Sequence, residues 1–270
     1  MKKHGTATNQ RARGTDRLLE ILSFFELSYE ATSRNALAIA LDCPRTTIYM
    51  LVDQLIEKGW LSQSSTGALR LGYRAGLLGL TYASQEPFET AAREVIQRLA
   101  AETGEVAEIN VLDDWRQLVL ISASGKGMTY LHIVEGSRYP LPLTASARVQ
   151  LVDFPEDALR DAIPASEFVT PRGLRISLKQ FIADIRLAAE RGYGTVDGLI
   201  DPSFASVSVP VRNPSGVPVA AASLVVPSLQ LKHQLDPLVQ TLSRAARELE
   251  QILKIKGWPM GEALMNRHMP

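Results

Sequence analysis

The chain has 270 residues, 46% of them hydrophobic, which is enough for one large domain or two ordinary ones. Lys and Arg balance Asp and Glu at 29 each, and no run of 18 uncharged apolar residues occurs, so we expect no membrane span. The single cysteine, Cys43, excludes an internal disulfide and a cysteine-based zinc site, and the basic N-terminus lacks the apolar segment of a secretory signal. These features favour a cytoplasmic protein.

Three short helices and a hairpin are predicted near the N-terminus. In TDRLLEILSFFELS, apolar residues recur at helical spacing after a plausible N-cap, Thr15. A second helix is predicted in SRNALAIAL after the N-cap Ser33, and a third between Pro44 and Gly59. Two short strands flank the polar turn at 64–67 in WLSQSSTGALRLG. This order of elements predicts a winged helix-turn-helix.

The third helix has the composition of a recognition helix. Ile48, Leu51, Val52 and Leu55 form its apolar stripe, and its first turn offers free backbone N–H groups to a phosphate. Residues 1–75 contain ten Lys and Arg against seven Asp and Glu, a net charge of +3, whereas the rest of the chain has −3. We predict DNA contacts from residues on the third helix, the second helix, the wing and the N-terminal arm: Arg45, Thr46, Thr47, Tyr49, Met50, Arg34, Arg70, Arg11 and Arg13.

The remaining elements predict an α+β domain with an antiparallel sheet flanked by helices. The apolar helix YRAGLLGLTYAS packs on its own domains or pairs with a second copy of the chain, and we favour pairing. Further helices are predicted in PFETAAREVIQRLAAETG, TASARVQLVDF, SLKQFIADIRLAAERGYG and QLDPLVQTLSRAARELEQILKIK. Strands are predicted in EVAEINVL, QLVLISA and MTYLHIV, with a hairpin in SVSVPVRNPSGVPVAAASLVVP. The predicted segments are a basic flexible arm (1–14), the winged domain (15–73), a linker helix (74–86), the C-terminal domain (87–256) and a loose tail (257–270).

The N-terminal stretch GTDRLLEILSFF…SRNALAIALDCPRTTIYMLVDQLIEKGWLSQSSTGALRLG resembles the DNA-binding domain of IclR-type transcriptional regulators. The stretches GSRYPLPLTAS and RGYGTVDG…SVSVPVRNPSGVPVAAASLVVP resemble the effector-binding domain of that family. The resemblance covers roughly residues 15–254 in order. It implies a dimer, often a dimer of dimers, that reads a palindromic operator. It also implies a GAF-like domain that binds a small metabolite, commonly an organic acid.

The resemblance further implies which residues contact the effector. They are Gly136, Leu143, Thr144, Ser146, Asp197, Phe204, Ser206, Ser223 and Val225. Thr144 and Ser146 at a helix start would form a carboxylate cradle. Where this sequence departs from the family, Phe204 and Val225 indicate a less polar pocket and a larger acid, for example an aromatic one. Met50 stands where the family often has a polar residue, so the operator sequence does not carry over.

An alternative function is a small-molecule enzyme whose winged domain contacts proteins, and a third is a dimeric scaffold without a ligand. The segment ASGKGMT lacks the first glycine and the final hydroxyl of a phosphate-binding loop. His132 and His233 have neither triad nor metal-ligand spacing. We therefore expect no catalytic residues, metal or cofactor, and favour a ligand-responsive regulator of transcription.

Overall fold

The computed structural model describes residues 5–27, 31–85, 87–128, 131 and 133–258, with the backbone alone for 5–13 and 83. The chain divides into two compact units, Met1–Gln85 and Glu86–Pro270. Among the described helices, none is long and apolar enough to cross a membrane.

The N-terminal unit contains four helices and a two-stranded hairpin. Their bounds are α1 Gly5–Leu27, α2 Arg34–Ala40, α3 Arg45–Glu57, β1 Leu61–Gln63, β2 Leu69–Leu71 and α4 Tyr73–Gln85. The apolar stripes of α1, α2 and α3 meet in one core, which includes Ile21, Leu37, Ile48 and Val52. The predicted N-cap Ser33 is confirmed, since its hydroxyl oxygen accepts a hydrogen bond from the backbone N–H of Ala36 at 3.1 Å.

The first helix begins earlier than its sequence pattern predicted. α1 starts at Gly5, so Thr15 lies inside the helix and is not its N-cap, and the backbone of 5–14 is helical rather than a flexible arm. The residues in this stretch include good helix formers such as Gln10, Arg11 and Ala12. One internal glycine, Gly14, costs a helix only about 1 kcal/mol and does not stop it.

The wing follows α3 through a tight glycine contact. α3 ends before Gly59, which has a φ of +75°, a conformation that glycine adopts without steric cost. A Cβ atom at Gly72 would overlap the Gly59 carbonyl oxygen, so the hairpin returns to the end of α3 only because both residues are glycines. β1 and β2 pair antiparallel, with Leu61 opposite Leu71.

The C-terminal unit is built on a six-stranded antiparallel sheet of order β5-β4-β3-β8-β7-β6. The strand bounds are β3 Val106–Asp113, β4 Arg116–Ser124, β5 Arg138–Pro140, β6 Gly194–Asp197, β7 Phe204–Arg212 and β8 Pro218–Pro227. The helix bounds are α5 Pro87–Thr103, α6 Ala145–Gln150, α7 Glu156–Ala162, α8 Leu178–Arg191 and α9 Ser228–Lys256, and α9 has a kink at Gln234. Short 3-10 turns span 126–128, 141–143 and 165–168.

The two faces of the sheet differ in polarity: one packs on an apolar core, and the other carries more polar side chains. One face packs against α5 and α9 through strand residues such as Ile109, Val207 and Leu224. The opposite face is covered by α6. Because strand side chains alternate between faces, residues such as Glu108 and Ser223 point to the α6 side. This polar face positions the candidate site described below.

One predicted strand of the C-terminal unit is wrong, and the predicted tail is contradicted at Trp258. In MTYLHIV, the described residues are not a strand: Met128 ends a 3-10 turn, and the Leu131 N–H donates to the Met128 carbonyl, closing a turn instead of extending a ladder. The strand beside β4 is β5. In the predicted loose tail, Trp258 is 1% exposed and stacks on Phe88 with ring centroids 4.5 Å apart, because burying an indole ring is strongly favourable. The rest of that tail, 259–270, lies outside the described residues.

Candidate functional site

The outer face of α3 presents polar and large side chains to solvent. Arg45 and Thr46 are exposed at its first turn, and Thr47 is half-buried. Tyr49 and Met50 are 39% and 54% exposed. The four residues of the predicted apolar stripe are all buried, so the helix is anchored by one side and free on the other. This is the arrangement that a helix needs to enter a major groove.

The N-terminal end of α3 is open to an anion. Pro44 occupies the N-cap position, and no side chain caps the helix. The Pro44 carbonyl accepts the N–H groups of Thr47 and Ile48, which leaves the first helical N–H groups facing outward beside the Arg45 side chain. α3 has thirteen residues, and the positive end of its helix dipole lies at this terminus. A DNA phosphate or a guanine edge matches these donors.

Arg34, predicted to contact DNA, makes three contacts within the N-terminal unit. Its Nη1 lies 2.6 Å from Oδ1 of Asp53 on α3, and its Nη2 donates to Oε1 of Gln63 on β1 at 3.0 Å. Its guanidinium also lies over the Tyr49 ring at 5.8 Å from the centroid. Arg34 therefore links α2, α3 and the wing, and a DNA contact from its side chain stays a prediction.

The other predicted basic contacts are more dispersed. Arg70 is exposed on β2, opposite Ser62 on β1, and so lies on the wing. Arg11 and Arg13 lie on α1, and their side chains are outside the described residues. A DNA contact at any of these positions stays a prediction.

A cavity of about 190 Å³ lies on the α6 side of the C-terminal sheet. Its wall is formed by the polar face of β3, β7 and β8, by the start of α6, and by the segments around Leu131 and Ile200. The described lining residues are mainly apolar, and they contain no Lys, Arg or His. Thr129, Tyr130 and His132 lie outside the described residues. Two acids line the cavity, Glu108 at its inner wall and the exposed Asp201.

The structure brings together most of the residues that the family resemblance implied. Seven of them line the cavity: Leu143, Thr144, Ser146, Phe204, Ser206, Ser223 and Val225. Gly136 and Asp197 do not. The Gly136 N–H donates to the Val119 carbonyl at 2.7 Å in the turn before β5. Asp197 points away from the cavity, since strand alternation turns its neighbour Val196 inward, and its Oδ2 lies 3.5 Å from Lys232 Nζ.

The carboxylate cradle expected at Thr144 and Ser146 is not formed by Thr144. Its hydroxyl donates to the Leu141 carbonyl at 3.2 Å, and its own N–H donates to the same oxygen. α6 has only six residues, so its dipole is small. The Ser146 hydroxyl lies at the cavity wall.

Sequence reasoning missed a hydrogen-bonded chain across three strands. Ser223 Oγ donates to Asn110 Oδ1 at 2.6 Å, and Asn110 Nδ2 donates to Glu108 Oε2 at 2.9 Å. Ser223 has a single hydroxyl proton, so at the 2.7 Å contact between Ser208 Oγ and Ser223 Oγ it is Ser208 that donates. The donors therefore run in one direction, from Ser208 on β7 to Glu108 on β3.

Two acceptors at the inner wall have no hydrogen-bond partner among the described residues. They are Oε1 of Glu108 and Oε1 of Gln117. The amide nitrogen of Gln117, Nε2, donates to the Val111 carbonyl at 2.9 Å. This hydrogen bond identifies the opposite end of the amide as the carbonyl oxygen, Oε1. Glu108 is 6% exposed, and burial raises the pKa of its carboxyl from 4.5 to about 7, although the Asn110 hydrogen bond opposes the rise.

Comparison with known proteins identifies both units. Residues 80–251 match the family model described as "Bacterial transcriptional regulator IclR C-terminal", and residues 14–65 match the IclR helix-turn-helix domain. The chain belongs to the IclR family. It is therefore a DNA-binding transcriptional regulator with an N-terminal helix-turn-helix and a C-terminal effector-binding domain.

Relatives in this family align along nearly the whole chain. The transcriptional repressor AllR of Escherichia coli K12 is 23% identical over 252 residues, covering 92% of this chain and 93% of its own. The probable transcriptional regulator SauR of Cupriavidus necator is 26% identical over 254 residues, covering 92% and 98%. Both are named as regulators of transcription, not as enzymes.

Solved IclR structures have the same fold. An IclR-type regulator from Silicibacter sp. aligns with a TM-score of 0.76 at 21% identity, over 89% of this chain and 96% of its own. An IclR homologue from Microbacterium hydrocarbonoxydans, solved in complex with 4-hydroxybenzoate, aligns with a TM-score of 0.74 at 23% identity over 89% and 98%. The expected α+β architecture, a winged helix-turn-helix followed by an antiparallel sheet with helices, is confirmed.

Proposed function

We propose that this IclR-family regulator binds a palindromic operator as a homodimer or a dimer of dimers, and that a small organic effector in the C-terminal cavity changes its operator affinity. Operator binding is supported by the open N-terminal end of α3, where Arg45 lies beside free backbone N–H groups. Effector binding is supported by the cavity on the polar face of the sheet.

The exposed apolar face of α4 supports self-association. Tyr73, Leu77 and Leu80 are 67%, 55% and 70% exposed and follow one another at i, i+4 and i+7, so they share one side of the helix. A contiguous apolar patch of this kind marks an interaction surface. A second copy of α4 would cover it and hold two recognition helices at a fixed spacing, as a two-fold operator requires.

Size and lining suggest the class of effector. Cavities of this order hold a single aromatic ring, since an apolar cavity of about 150 Å³ accommodates benzene. The apolar wall, which includes Phe204, Val225 and Leu143, suits a ring. We therefore propose a compound of one ring with polar substituents, such as a hydroxylated organic acid, and the relative that is bound to 4-hydroxybenzoate has a ligand of this class.

Effector control can be tested by blocking the cavity. Val225→Phe should fill part of the space and leave the DNA-reading helix untouched, so operator binding stays while its response to one-ring organic acids is lost. Val217→Phe is the matched control, because Val217 is also partly buried but does not line the cavity. The readout is anisotropy of operator DNA during titration with each acid. A response that survives Val225→Phe unchanged would place effector binding elsewhere.

Self-association has its own test. Leu77→Ser combined with Leu80→Ser should shift the molar mass measured by light scattering towards the monomer and weaken operator binding by the loss of bivalency. Leu174→Ser is the control, since Leu174 is 57% exposed but lies in a loop of the C-terminal unit. An unchanged mass for the α4 variant would contradict this interface.

A further inference from the structure

The structure assigns to Glu108 the selection of the effector: the ligand places a hydrogen-bond donor, a hydroxyl or an ammonium, against the inner wall and keeps any carboxylate away from it. This inference rests on the proposed effector function of the cavity and states which end of the bound effector lies against the inner wall.

The hydrogen bonds behind the inner wall all run in one direction, towards Glu108. Ser208 donates to Ser223, Ser223 donates to Asn110, and Asn110 donates to Glu108. Both serine hydroxyls and one Asn110 N–H are used as donors within the protein, and this series of hydrogen bonds ends in Glu108, which lines the cavity and whose Oε1 has no partner among the described residues. Gln117 also lines the cavity, and its Oε1 is a second acceptor without a partner in the described part of the chain. Buried acceptors without partners are costly, and a ligand donor relieves that cost.

The charges around the cavity also favour a donor at the inner wall. No Lys, Arg or His occurs among the described lining residues, and the acids Glu108 and Asp201 both face the space. A carboxylate placed against Glu108 would meet a second acid at a side chain that is only 6% exposed. Asp201 is exposed and lies towards the open side, where solvent screens a ligand carboxylate. An acid with a hydroxyl is therefore oriented hydroxyl inward.

Matched pairs of small compounds test this selection while the natural effector is unidentified. The pairs are phenol and anisole, 4-hydroxybenzoate and 4-methoxybenzoate, and benzylamine and benzoate, each titrated at pH 8 by calorimetry with millimolar ligand. The first member of each pair offers a donor, and the second offers none. A hydrogen bond to a charged acceptor corresponds to roughly tenfold to hundredfold in affinity, so the donor member should bind at least about tenfold tighter.

Glu108→Gln provides the decisive variant. The glutamine keeps the size of the side chain, removes its charge and adds an amide donor, so the benzylamine preference should vanish and benzoate should gain about tenfold. Glu105→Gln is the matched control, because Glu105 is also 6% exposed and has a raised pKa through burial, yet it does not line the cavity. Its pair preferences should equal those of the unchanged protein.

The outcomes separate this inference from the proposed function. Equal affinities within each pair, or donor preferences that persist in Glu108→Gln, would overturn the role of Glu108 even if acids release the operator. Failure of all six compounds to bind the unchanged protein or the variant would overturn it too, because the cavity would then not accept one-ring ligands. Donor-selective binding without any effect on operator affinity would instead support Glu108 selection and refute effector control of DNA binding. The paired comparison in the unchanged protein stands by itself if the variant fails to fold.

Discussion

Replacing Glu108 by glutamine should change how the stability of the C-terminal unit depends on pH. Burial raises the pKa of Glu108 to about 7, against 4.5 for the exposed side chain. Below about pH 4.5 the carboxyl is protonated in both the folded and the unfolded chain, so it has no effect on pH dependence. Between about 4.5 and 7 the unfolded chain loses this proton first, so stability falls as pH rises, and above about 7 the loss is complete.

The size of this effect follows from the difference between the two pKa values. A shift from 4.5 to about 7 corresponds to about 3 kcal/mol at 1.36 kcal/mol per unit. Among the described residues, the hydrogen-bond partner of Glu108 and the residues opposite it on the paired strands are neutral, namely Asn110, Ser122 and Ser223. Glu108→Gln should therefore be more stable than the unchanged protein by up to about 3 kcal/mol at pH 8 and about equal to it at pH 4.

Urea unfolding followed by tryptophan fluorescence measures this difference. In a Trp60→Phe background the remaining tryptophans, Trp115 and Trp258, both report on the C-terminal unit. Glu190→Gln is the control, because Glu190 is exposed on α8 and its replacement should leave the pH profile unchanged. If Glu108→Gln is no more stable than its background at pH 8, or if the two profiles stay parallel from pH 4 to 8, the desolvation argument is refuted.

Three further predictions concern other parts of the chain. Arg45→Lys should lower operator affinity by about 1–3 kcal/mol and relax sequence preference, because a lysine loses bidentate pairing; anisotropy on operator and scrambled DNA measures both. Arg34→Ala and Asp53→Ala should each weaken operator binding without changing its salt dependence, since the pair positions α3; a gain of affinity in Asp53→Ala, from the lost negative charge, would contradict this. Trp258→Ala should destabilise the C-terminal unit by about 3–5 kcal/mol in urea unfolding, because the indole is buried against Phe88. A change below about 1 kcal/mol would contradict a stabilising role of Trp258.

The sequence predicted elements well where one physical signal was strong. The apolar stripe of α3 has a clear helical period, and its four members are all buried. Gly192, the first glycine in the predicted helical segment SLKQFIADIRLAAERGYG, adopts the left-handed conformation expected of a helix stop, with a φ of +78°. The start of α1 was missed because Thr15 has the properties of an N-cap, although good helix formers such as Arg11 and Ala12 precede it.

The candidate site was harder to predict because its polar residues lie on strands. Glu108 and Asn110 alternate with apolar residues in EVAEINVL, a pattern that usually indicates a face open to solvent. The same alternation recurs at Ser206 and Ser208. Comparing these strands could have indicated a shared polar face, but only the strand order β3-β8-β7 shows that the residues meet. The direction of the hydrogen bonds requires the structure itself.

The position of the family-derived residues shows a similar limit. Strand alternation determines which of two adjacent residues faces the cavity, and a shift of one position exchanges Val196 for Asp197. Sequence resemblance alone does not resolve a difference of one residue in a short edge strand. Phe204 and Val225 lie on longer strands that pair along their length, and both line the cavity as the resemblance implied.

The most direct test of the account is the binding of DNA by the purified protein. Fluorescence anisotropy should compare DNA from the promoter region of its own gene with a scrambled sequence, at two salt concentrations, for the unchanged protein, Arg45→Ala and the control Arg247→Ala, an exposed arginine on α9. The account predicts tight, sequence-selective binding that weakens steeply with salt, and a loss of selectivity in Arg45→Ala alone. Selective binding that is the same in all three proteins would contradict the assignment of α3 as the helix that reads DNA.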